Sequence, residues 1–301
     1  MNVDMDINSM HFTGTIWRPP YESNSALLQT TIGCSHHNCK FCSLYPDIKF
    51  KLSSREELEH DLKIIKAYQP KARRLFLIGA NPFVLSYNRL VDIGLLIRKY
   101  LPECNSIGMF ARVSDITPKS VQELKDLRHL GFNGITIGTE SGDDITLGYM
   151  NKKTTSSETI ENCGKLKEAG IEYYVSYLTG LAGSENGERN ALASAEMFNQ
   201  IAPYIISVVS LTVFPDSGLY KDLKNGTFVE ASEHERLQEI KTLINSLNIS
   251  THMFANTISN PVPLSGYLPN DKQRMINALD SIISQVDESQ LKNYRNNIKS
   301  L

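Results

Sequence analysis

The sequence is poor in the features that mark exported or membrane-bound proteins. It has five cysteines in 301 residues, an odd and low number that argues against an exported disulfide scaffold. No stretch approaches the roughly 18 consecutive apolar residues that a membrane-spanning helix needs. The first ten residues, MNVDMDINSM, contain no basic stretch followed by an apolar run, so no signal peptide is expected. These absences predict a cytoplasmic protein with no membrane partner.

An excess of positive charge is also missing. Lysine and arginine number 31 and aspartate and glutamate 33, which gives a formal net charge of −2. A general nucleic-acid-binding protein needs a basic face, so we do not expect nucleic acid as a partner, although this balance does not exclude a small local basic patch. Hydrophobic residues make up 41% of the chain, which is enough for a sizeable core.

Six short apolar runs rich in β-branched or aromatic residues predict buried parallel strands. They are Ala26–Thr31, Arg74–Ile78, Ser106–Phe110, Gly134–Ile137, Tyr173–Tyr177 and Ile205–Val213. Helical patterns lie between them, two of which begin with capping boxes at Ser54 and Ser232. This repeated alternation of strand and helix predicts a parallel sheet with right-handed crossovers.

Six such units are too few for a closed eight-stranded barrel. The predicted fold class is therefore α/β, a partial (β/α)6 barrel with a C-terminal helical extension, and an open doubly wound sheet is the alternative. We assign residues 1–250 to the barrel with an N-terminal arm. Residues 251–301 are assigned to a loop and a helical tail packed on the barrel, in which Leu268–Leu301 forms one or two amphipathic helices.

Three of the cysteines lie within nine residues and indicate a metal centre. Cys34, Cys39 and Cys42 form a C-x4-C-x2-C motif directly after the first predicted strand, where parallel sheets place ligand sites. Three thiolates this close suit a soft metal, either zinc or an iron–sulfur cluster. Zinc usually takes four protein ligands, and the fourth would be His36, His37 or a distant cysteine. An iron–sulfur cluster held by three cysteines leaves one iron open.

The motif resembles that of the radical S-adenosylmethionine (SAM) superfamily, most of which carries C-x3-C-x-aromatic-C after the first strand of a six-unit partial barrel. Phe41 precedes Cys42 as the aromatic residue does in that motif, and the first spacing here is one residue longer. The segments Gly138–Asp144 and Met150–Lys153 are similar to those after the fourth strand in the group of methylthiotransferases and oxygen-independent coproporphyrinogen dehydrogenases. The resemblance covers roughly residues 16–250.

The resemblance implies that the three cysteines hold a [4Fe-4S] cluster and that SAM binds next to it. It implies that Glu140 contacts SAM. It also places the turn Gly79-Ala80-Asn81 beside the SAM amino group, at a position where the family often has an acidic residue instead of Asn81. An ordinary strand-to-helix turn is the alternative for Asn81.

Three further residues complete the predicted cofactor site. Arg112, after the third strand, would pair with the SAM carboxylate, because guanidinium groups match carboxylates bidentately; a surface salt bridge is the alternative. Phe41 lies in the cysteine motif. At the fifth strand, Ser176 would line the nucleoside pocket together with Thr179 and Gly180.

The implied activity is reductive cleavage of SAM at the cluster, which yields a 5′-deoxyadenosyl radical that abstracts hydrogen from a small-molecule substrate. An electron donor such as flavodoxin or ferredoxin is the implied partner. The substrate and the catalytic residues stay open. Cys104 and Cys163 are too scattered to hold a second cluster, which argues against a methylthiotransferase. A non-enzymatic iron–sulfur or zinc-binding protein on the same fold, and an RNA-modifying radical SAM enzyme, are the alternatives.

Two polar segments have open roles. Arg18, Tyr21 and Glu22, which precede the first strand, would either contact substrate or SAM or form an arm that covers the sheet edge. His252, Asn256 and Asn260 are expected in a polar loop after the last crossover helix, which would act as a lid.

Overall fold

The computed structural model describes residues 6–45 and 47–299. Residues 1–5, which carry part of the prediction that no signal peptide is present, lie outside the described residues. Within the described ranges, no helix is both long and apolar enough to cross a membrane.

The strands and helices alternate as the sequence predicts. The strands are β1 Ala26–Gln29, β2 Thr31–Ile32, β3 Lys51–Leu52, β4 Arg74–Ile78, β5 Ser106–Ala111, β6 Phe132–Glu140, β7 Tyr173–Thr179, β8 Ile205–Ser210, β9 Thr251–Ala255 and β10 Leu264–Leu268. The helices are α1 Arg55–Tyr68, α2 Tyr87–Tyr100, α3 Val113–Ile116, α4 Val121–His129, α5 Asp144–Tyr149, α6 Ser156–Glu168, α7 Gly187–Ile201, α8 Gly218–Lys224, α9 Glu233–Ser246, α10 Lys272–Gln285 and α11 Glu288–Asn296.

Eight strands follow the order β1-β4-β5-β6-β7-β8-β9-β10, and β2 pairs with β3 in a separate small sheet. The pairs β1–β4, β4–β5, β5–β6, β7–β8 and β8–β9 are parallel, and β9–β10 is antiparallel. All six predicted strands are present, and the α/β class is confirmed. The capping boxes at Ser54 and Ser232 are present as well.

The chain divides into two compact units, each of which is described separately. The first contains the described residues of Met1–His37, Tyr45–Ile137 and Lys165–Tyr173, and the second contains Asn38–Leu44, Gly138–Gly164 and the described residues of Tyr174–Leu301. This division does not follow the predicted boundary at residue 250, which stays a prediction.

The core of the first unit forms on β1, β4, β5 and the start of β6. Leu28, Phe76, Met109 and Ile135 on these strands have no exposed surface. Their strands are nearly continuous apolar runs because a parallel sheet in an α/β fold is covered on both faces. The carboxyl ends of β4 and β5 lead directly into the polar segments that the sequence analysis singles out.

The second unit contains the structure that the sequence analysis did not predict. Residues expected in a polar lid form β9 and β10, so His252 lies on a strand. Asn260 is buried, and its side chain donates to the Val208 carbonyl at 2.8 Å. The loop prediction is therefore wrong for His252. Asn256 and Asn260 lie in the loop between β9 and β10, and the burial of Asn260 argues against a lid role for that residue. The predicted helical extension is present as α10 and α11.

Candidate functional site

The cysteine motif starts in the first unit at a tight backbone turn. Gly33, which follows β2 and precedes Cys34, has φ +70, and a Cβ there would lie 2.8 Å from the Ile48 carbonyl oxygen. Only glycine fits both the left-handed conformation and this close approach. The turn fixes the point at which Cys34 leaves the small β2–β3 sheet. None of the five cysteines forms a disulfide bond.

The rest of the motif lies on a loop of the second unit that main-chain hydrogen bonds hold. The Lys40 amide donates to the Met150 carbonyl at 3.0 Å, and the Leu219 amide donates to the Lys40 carbonyl at 2.6 Å. The Asn151 side chain donates to the Asn38 carbonyl at 2.8 Å. This cysteine loop, Asn38–Leu44, is thus anchored by the backbone beside its thiols and does not depend on them for its position.

Side chains reinforce the same anchor. Lys40 Nζ lies 2.8 Å from Asp222 Oδ2 and 4.1 Å from the centroid of the Tyr149 ring, and the Tyr149 hydroxyl donates to the same carboxylate oxygen at 3.0 Å. The hydrogen bond from Lys40 lowers the pKa of Asp222. Asp222 lies on α8, so this helix also holds the cysteine loop.

Within the loop, the Cys42 amide donates to the Cys39 carbonyl at 3.2 Å, which puts both residues on one turn. Cys34 and Cys39 are half-buried and Cys42 is exposed. Across residues 6–45 and 47–299, no group of three or more His, Cys, Asp or Glu side chains stands close enough to hold a metal ion. The assignment of the three cysteines as ligands therefore stays a prediction.

Glu140, Ser176 and Phe41, three of the predicted cofactor residues, surround an ion pair between Glu140 and Lys152 in the second unit. Lys152 Nζ lies 3.0 Å from Glu140 Oε1, and the Ser176 hydroxyl donates to Glu140 Oε2 at 2.8 Å. Lys152 Nζ also lies 5.8 Å from the centroid of the Phe41 ring. We call Phe41, Glu140, Lys152 and Ser176 the lysine cluster.

The lysine cluster is largely withdrawn from solvent. The side chains of Lys152 and Glu140 are 6% and 15% exposed, so each charge needs the other. Glu140 ends β6 with φ +65, a conformation that is uncommon for a residue with a Cβ and that often marks functional sites. The resemblance of the segment Met150–Lys153 to the family gave Lys152 no predicted role. The position of Lys152 shortly after a strand-end glutamate was the available signal.

In the first unit, the turn after β4 begins at a glycine that no other residue can replace. Gly79 has φ +134, and a Cβ there would lie 2.0 Å from Thr31 Oγ1. The turn therefore packs against Thr31 at the start of β2, two positions before Gly33. Ala80 is partly exposed next to it. The predicted contacts of Gly79 and Ala80 with SAM stay predictions.

Asn81 is fully buried and makes three hydrogen bonds with its side chain. Its Oδ1 accepts from the Ser35 amide at 3.2 Å, and its Nδ2 donates to Ser35 Oγ at 2.7 Å and to Asp115 Oδ2 at 3.0 Å. Ser35 directly follows Cys34. Asn81 thus fixes the backbone beside the first cysteine, a role that sequence reasoning missed, while its predicted contact with SAM stays a prediction.

Asp115 connects this turn to the residue after β5. Its Oδ2 accepts from the Arg112 amide at 2.8 Å as well as from Asn81. Burial raises the pKa of Asp115. Lys119, also buried, donates to the carbonyls of Phe83 and Asp115 at 2.8 Å each. Arg112 is half-buried at the start of α3, and its predicted pairing with the SAM carboxylate stays a prediction.

We expect Lys119→Met to remove part of the pH dependence of stability. Burial lowers the pKa of Lys119 from 10.5 to about 8, so the unfolded chain binds this proton more tightly than the folded chain. The cost to stability is complete below pH 8 and is relieved as the pH rises toward 10.5, by at most about 1.4 kcal/mol per pH unit.

Urea unfolding at about pH 7.5 and about pH 9.5 measures this effect. The wild type should gain more stability across the interval than Lys119→Met, and the less buried Lys125→Met should behave as the wild type. Equal gains for the wild type and Lys119→Met would contradict the assignment.

The N-terminal arm is anchored by a buried ion pair. Glu22 is 1% exposed, and its carboxylate pairs with Arg74, whose Nε donates to Glu22 Oε2 at 2.8 Å. The Tyr21 hydroxyl lies 3.1 Å from Thr136 Oγ1. This ion pair fixes Glu22 against β4. The sheet-edge arm and the contact of Glu22 with substrate or SAM both stay predictions.

The end of β7 carries a second buried polar network. The Gly180 amide donates to Glu239 Oε2 at 2.8 Å, and the Tyr177 hydroxyl donates to Glu239 Oε1 at 2.7 Å. Complete burial raises the pKa of both Glu239 and Tyr177. Thr179 has no exposed surface. Gly180 thus contacts α9, whereas the Thr179 hydroxyl donates to the Val209 carbonyl of β8 at 3.5 Å. The predicted nucleoside pocket at these two positions stays a prediction.

A family model described as the radical SAM superfamily matches residues 28–194, more than half of the chain. Among curated proteins, the chain is similar to the heme chaperone HemW of Bacillus subtilis (strain 168), with 24% identity over 204 residues, which are 64% of this chain and 52% of that protein. The chain spans about half or less of the length of the curated relatives it matches.

Two solved structures have the same fold. Coproporphyrinogen III oxidase (HemN) from Escherichia coli, a radical SAM enzyme, aligns with a TM-score of 0.55 and 15% identity over 73% of this chain and 51% of that chain. The radical SAM methyltransferase TsrM from Kitasatospora setae, with cobalamin and a [4Fe-4S] cluster bound, aligns with a TM-score of 0.55 and 16% identity over 67% of this chain and 37% of that chain. The predicted fold is confirmed, and so is the predicted resemblance to the group that includes the coproporphyrinogen enzyme HemN. The chain belongs to the radical SAM superfamily.

Proposed function

We propose that the protein is a radical SAM enzyme that acts on a small molecule. Cys34, Cys39 and Cys42 would hold a [4Fe-4S] cluster, and the lysine cluster would bind SAM. The observation that carries this proposal is the ion pair between Glu140 and Lys152, with Phe41 beside Lys152 and Ser176 bound to Glu140. Phe41 belongs to the cysteine motif, so one group of contacts connects the motif to the strand-end glutamate.

The donor set fits an iron–sulfur cluster. Cys39 and Cys42 are accessible thiols on one turn of an anchored loop, and thiolates are the usual ligands of such clusters. Cys34 supplies the third thiol after the Gly33 turn. Three cysteines leave one iron without a protein ligand, as binding of a chelating cofactor requires. The spacing C-x4-C-x2-C is compatible with this function because the extra residue lies between Cys34 and Cys39, outside the anchored turn.

The SAM site fits the lysine cluster. Both Glu140 oxygens already accept one hydrogen bond, and each keeps a lone pair for the ammonium group of SAM. Lys152 pairs with Oε1 of Glu140, and the Ser176 hydroxyl donates to Oε2, so the two contacts together fix the orientation of the carboxylate. Arg112 would pair with the SAM carboxylate, and the Gly79-Ala80-Asn81 turn would offer backbone groups. When bound, the cluster supplies one electron for reductive cleavage of SAM to the 5′-deoxyadenosyl radical, which abstracts hydrogen from the substrate.

The protein residues would position the reactants and exclude water and oxygen. An electron donor such as flavodoxin or ferredoxin would reduce the cluster, and the cytoplasm is the proposed location. The net charge of −2 favours a small-molecule substrate over nucleic acid. The RNA-modifying alternative predicts salt-sensitive RNA binding, which this chain should lack.

A non-enzymatic iron–sulfur or zinc-binding protein is the second candidate. Asn81 favours this second candidate, because it stands where the family often has an acidic residue and carries no charge for the SAM ammonium group. Its side chain is also already hydrogen-bonded to Ser35 and Asp115. The lysine cluster argues against this candidate, since a storage or structural site has no need of a buried ion pair beside the cysteine loop.

Anaerobic reconstitution tests the proposal. We expect about four irons and four sulfides per chain and an electron paramagnetic resonance spectrum of the dithionite-reduced protein that changes when SAM is added. A stoichiometric zinc ion with little iron, or a spectrum that SAM leaves unchanged, would overturn it.

A further inference from the structure

A cavity of about 510 Å³ opens at the amino ends of β5 and β6, within the first unit. It lies between the last turns of α2 and α4 and the loops that lead from these helices into the two strands. Six of the residues in its wall are Arg98, Cys104, Asn105, Arg128, His129 and Gly131. A cavity of this volume is large enough for a small-molecule ligand.

Positive charge lines this cavity. Arg98 lies in the last turn of α2, and Arg128 and His129 lie in the last turn of α4. No Asp or Glu is among the described residues that line it, and neither arginine forms an ion pair with a carboxylate in the described part of the chain. Burial raises the pKa of the Cys104 thiol, so the thiol adds no negative charge. We call this site, with Arg98, Asn105, Arg128 and His129 in its wall, the basic cavity.

Backbone contacts fix the shape of the basic cavity. Gly131 has φ +104, and a Cβ there would lie 3.2 Å from the Asn105 carbonyl oxygen, a conformation and a close approach that favour glycine. The Asn105 amide donates to the Arg73 carbonyl at 3.1 Å, and the Ile107 amide donates to the Gly131 carbonyl at 2.8 Å. These hydrogen bonds tie both loops to the sheet, so the cavity is formed before any ligand binds.

Backbone carbonyls hold both guanidinium groups in place. Arg98 Nη2 donates to the carbonyl of His129, the last residue of α4. Arg128 Nε donates to the Gly170 carbonyl, just after α6, at 2.8 Å. These contacts also complement the negative ends of two helices. A guanidinium group offers several N–H donors, and most of them stay available on each arginine. Donors that are already oriented lose little entropy when an anion binds.

We propose that the basic cavity binds a small molecule that carries a phosphate group. Arginine side chains match phosphate oxygens bidentately, and the Asn105 side chain and the His129 ring can donate further hydrogen bonds. Two fixed positive charges with no acidic residue beside them in the wall favour a phosphate dianion over a carboxylate, which carries one charge. The concave shape suits a terminal phosphate, whereas the backbone of a nucleic acid needs an extended basic face.

This site is separate from the residue of the same unit that is proposed to bind the SAM carboxylate. Asn105 directly precedes β5, whereas Arg112 directly follows it. A strand of six residues spans about 20 Å, so the phosphate ligand and SAM would bind at opposite ends of β5. Binding of phosphate is therefore independent of SAM cleavage.

Isothermal titration of the reconstituted full chain with ribose 5-phosphate and with inorganic phosphate tests this proposal. Ribose is the matched control without a phosphate group, and the ionic strength is kept constant because salt screens exposed charges. The variants are Arg98→Met, Arg128→Met and His129→Ala, and circular dichroism checks that each is folded. His129→Ala keeps the backbone carbonyl that Arg98 contacts.

Arg89→Met is the matched control variant. Arg89 also lies on α2 and also donates to a carbonyl, that of Ser53 at 2.9 Å, but it does not line the cavity. The change removes the same charge and a similar hydrogen bond from the same helix, so binding of phosphate should stay as in the wild type.

We expect at least one phosphate probe to bind and ribose not to bind. Arg98→Met and Arg128→Met should each weaken binding about tenfold or more, because hydrogen bonds between charged groups are the stronger ones. His129→Ala should weaken it about fivefold, and this variant decides the question where a methionine variant does not fold.

Two outcomes would overturn the proposal. If neither phosphate probe binds, or if the folded cavity variants bind as the wild type does, the arginines only complement helix ends. If a uridine oligonucleotide without a terminal phosphate displaces ribose 5-phosphate, the basic cavity belongs to a nucleic-acid surface instead.

Discussion

The Cys39→Ala variant should lose its bound iron and its ability to cleave SAM. Removal of one of three thiolate ligands leaves the cluster with two, and we expect the iron content after reconstitution to fall about tenfold or more. Formation of 5′-deoxyadenosine should fall to the background level. The variant should still fold, because the neighbouring Lys40 holds the loop through its own amide and carbonyl groups. Iron analysis and circular dichroism measure both expectations.

Cys104→Ala is the matched control. Cys104 is 4% exposed, and its thiol lies 3.6 Å from the Ser106 carbonyl oxygen, a weak contact outside the motif. We expect this variant to keep its iron and its activity. Full iron content in Cys39→Ala, or an equal loss in both variants, would show that the cysteine motif is not the cluster site.

Lys152→Met should impair SAM binding without affecting the cluster. The change leaves the carboxylate of Glu140 with Ser176 as its remaining partner in the lysine cluster. Removal of one partner from a buried ion pair is costly, so we expect the rate of 5′-deoxyadenosine formation at low SAM to fall about 100-fold. Lys152 acts here as a positioning residue, and the loss should appear mainly as a higher KM for SAM.

Two variants separate this role from a general loss of stability. Lys153→Met changes the exposed neighbouring lysine and should have little effect. Lys152→Arg keeps the charge and should restore part of the SAM affinity. An unchanged KM in Lys152→Met, or no rescue by arginine, would mean that the ion pair supports only the fold.

The parallel strands were predictable because burial on both faces gives them continuous apolar sequences. β4 has the predicted bounds, and β6 is longer than predicted, since it runs to Glu140. β9 and β10 were missed because each has one open face and interrupts its apolar residues with serine, glycine or histidine. Periodicity over such short segments does not distinguish a half-buried strand from a polar loop.

The candidate site was predictable where its residues end strands, and not where they depend on partners distant in the sequence. Glu140 ends β6, and Ser176 lies within β7, a strand that the apolar pattern predicts. Lys152 is 12 positions from Glu140, and Asp115 is 34 positions from Asn81, so only the folded chain shows these pairs. The role of Asn81 in holding Ser35 has the same origin. A sequence indicates which side chains reach a strand end, whereas tertiary packing decides which of them meet.

The most direct test is the formation of 5′-deoxyadenosine from SAM by the reconstituted wild-type chain with dithionite under anaerobic conditions. A radical SAM enzyme of this design produces 5′-deoxyadenosine only when the reductant and the cluster are both present. Reconstituted protein that contains iron and sulfide, and yields no 5′-deoxyadenosine above the level of the Cys39→Ala variant, would contradict the assignment of this chain as a radical SAM enzyme.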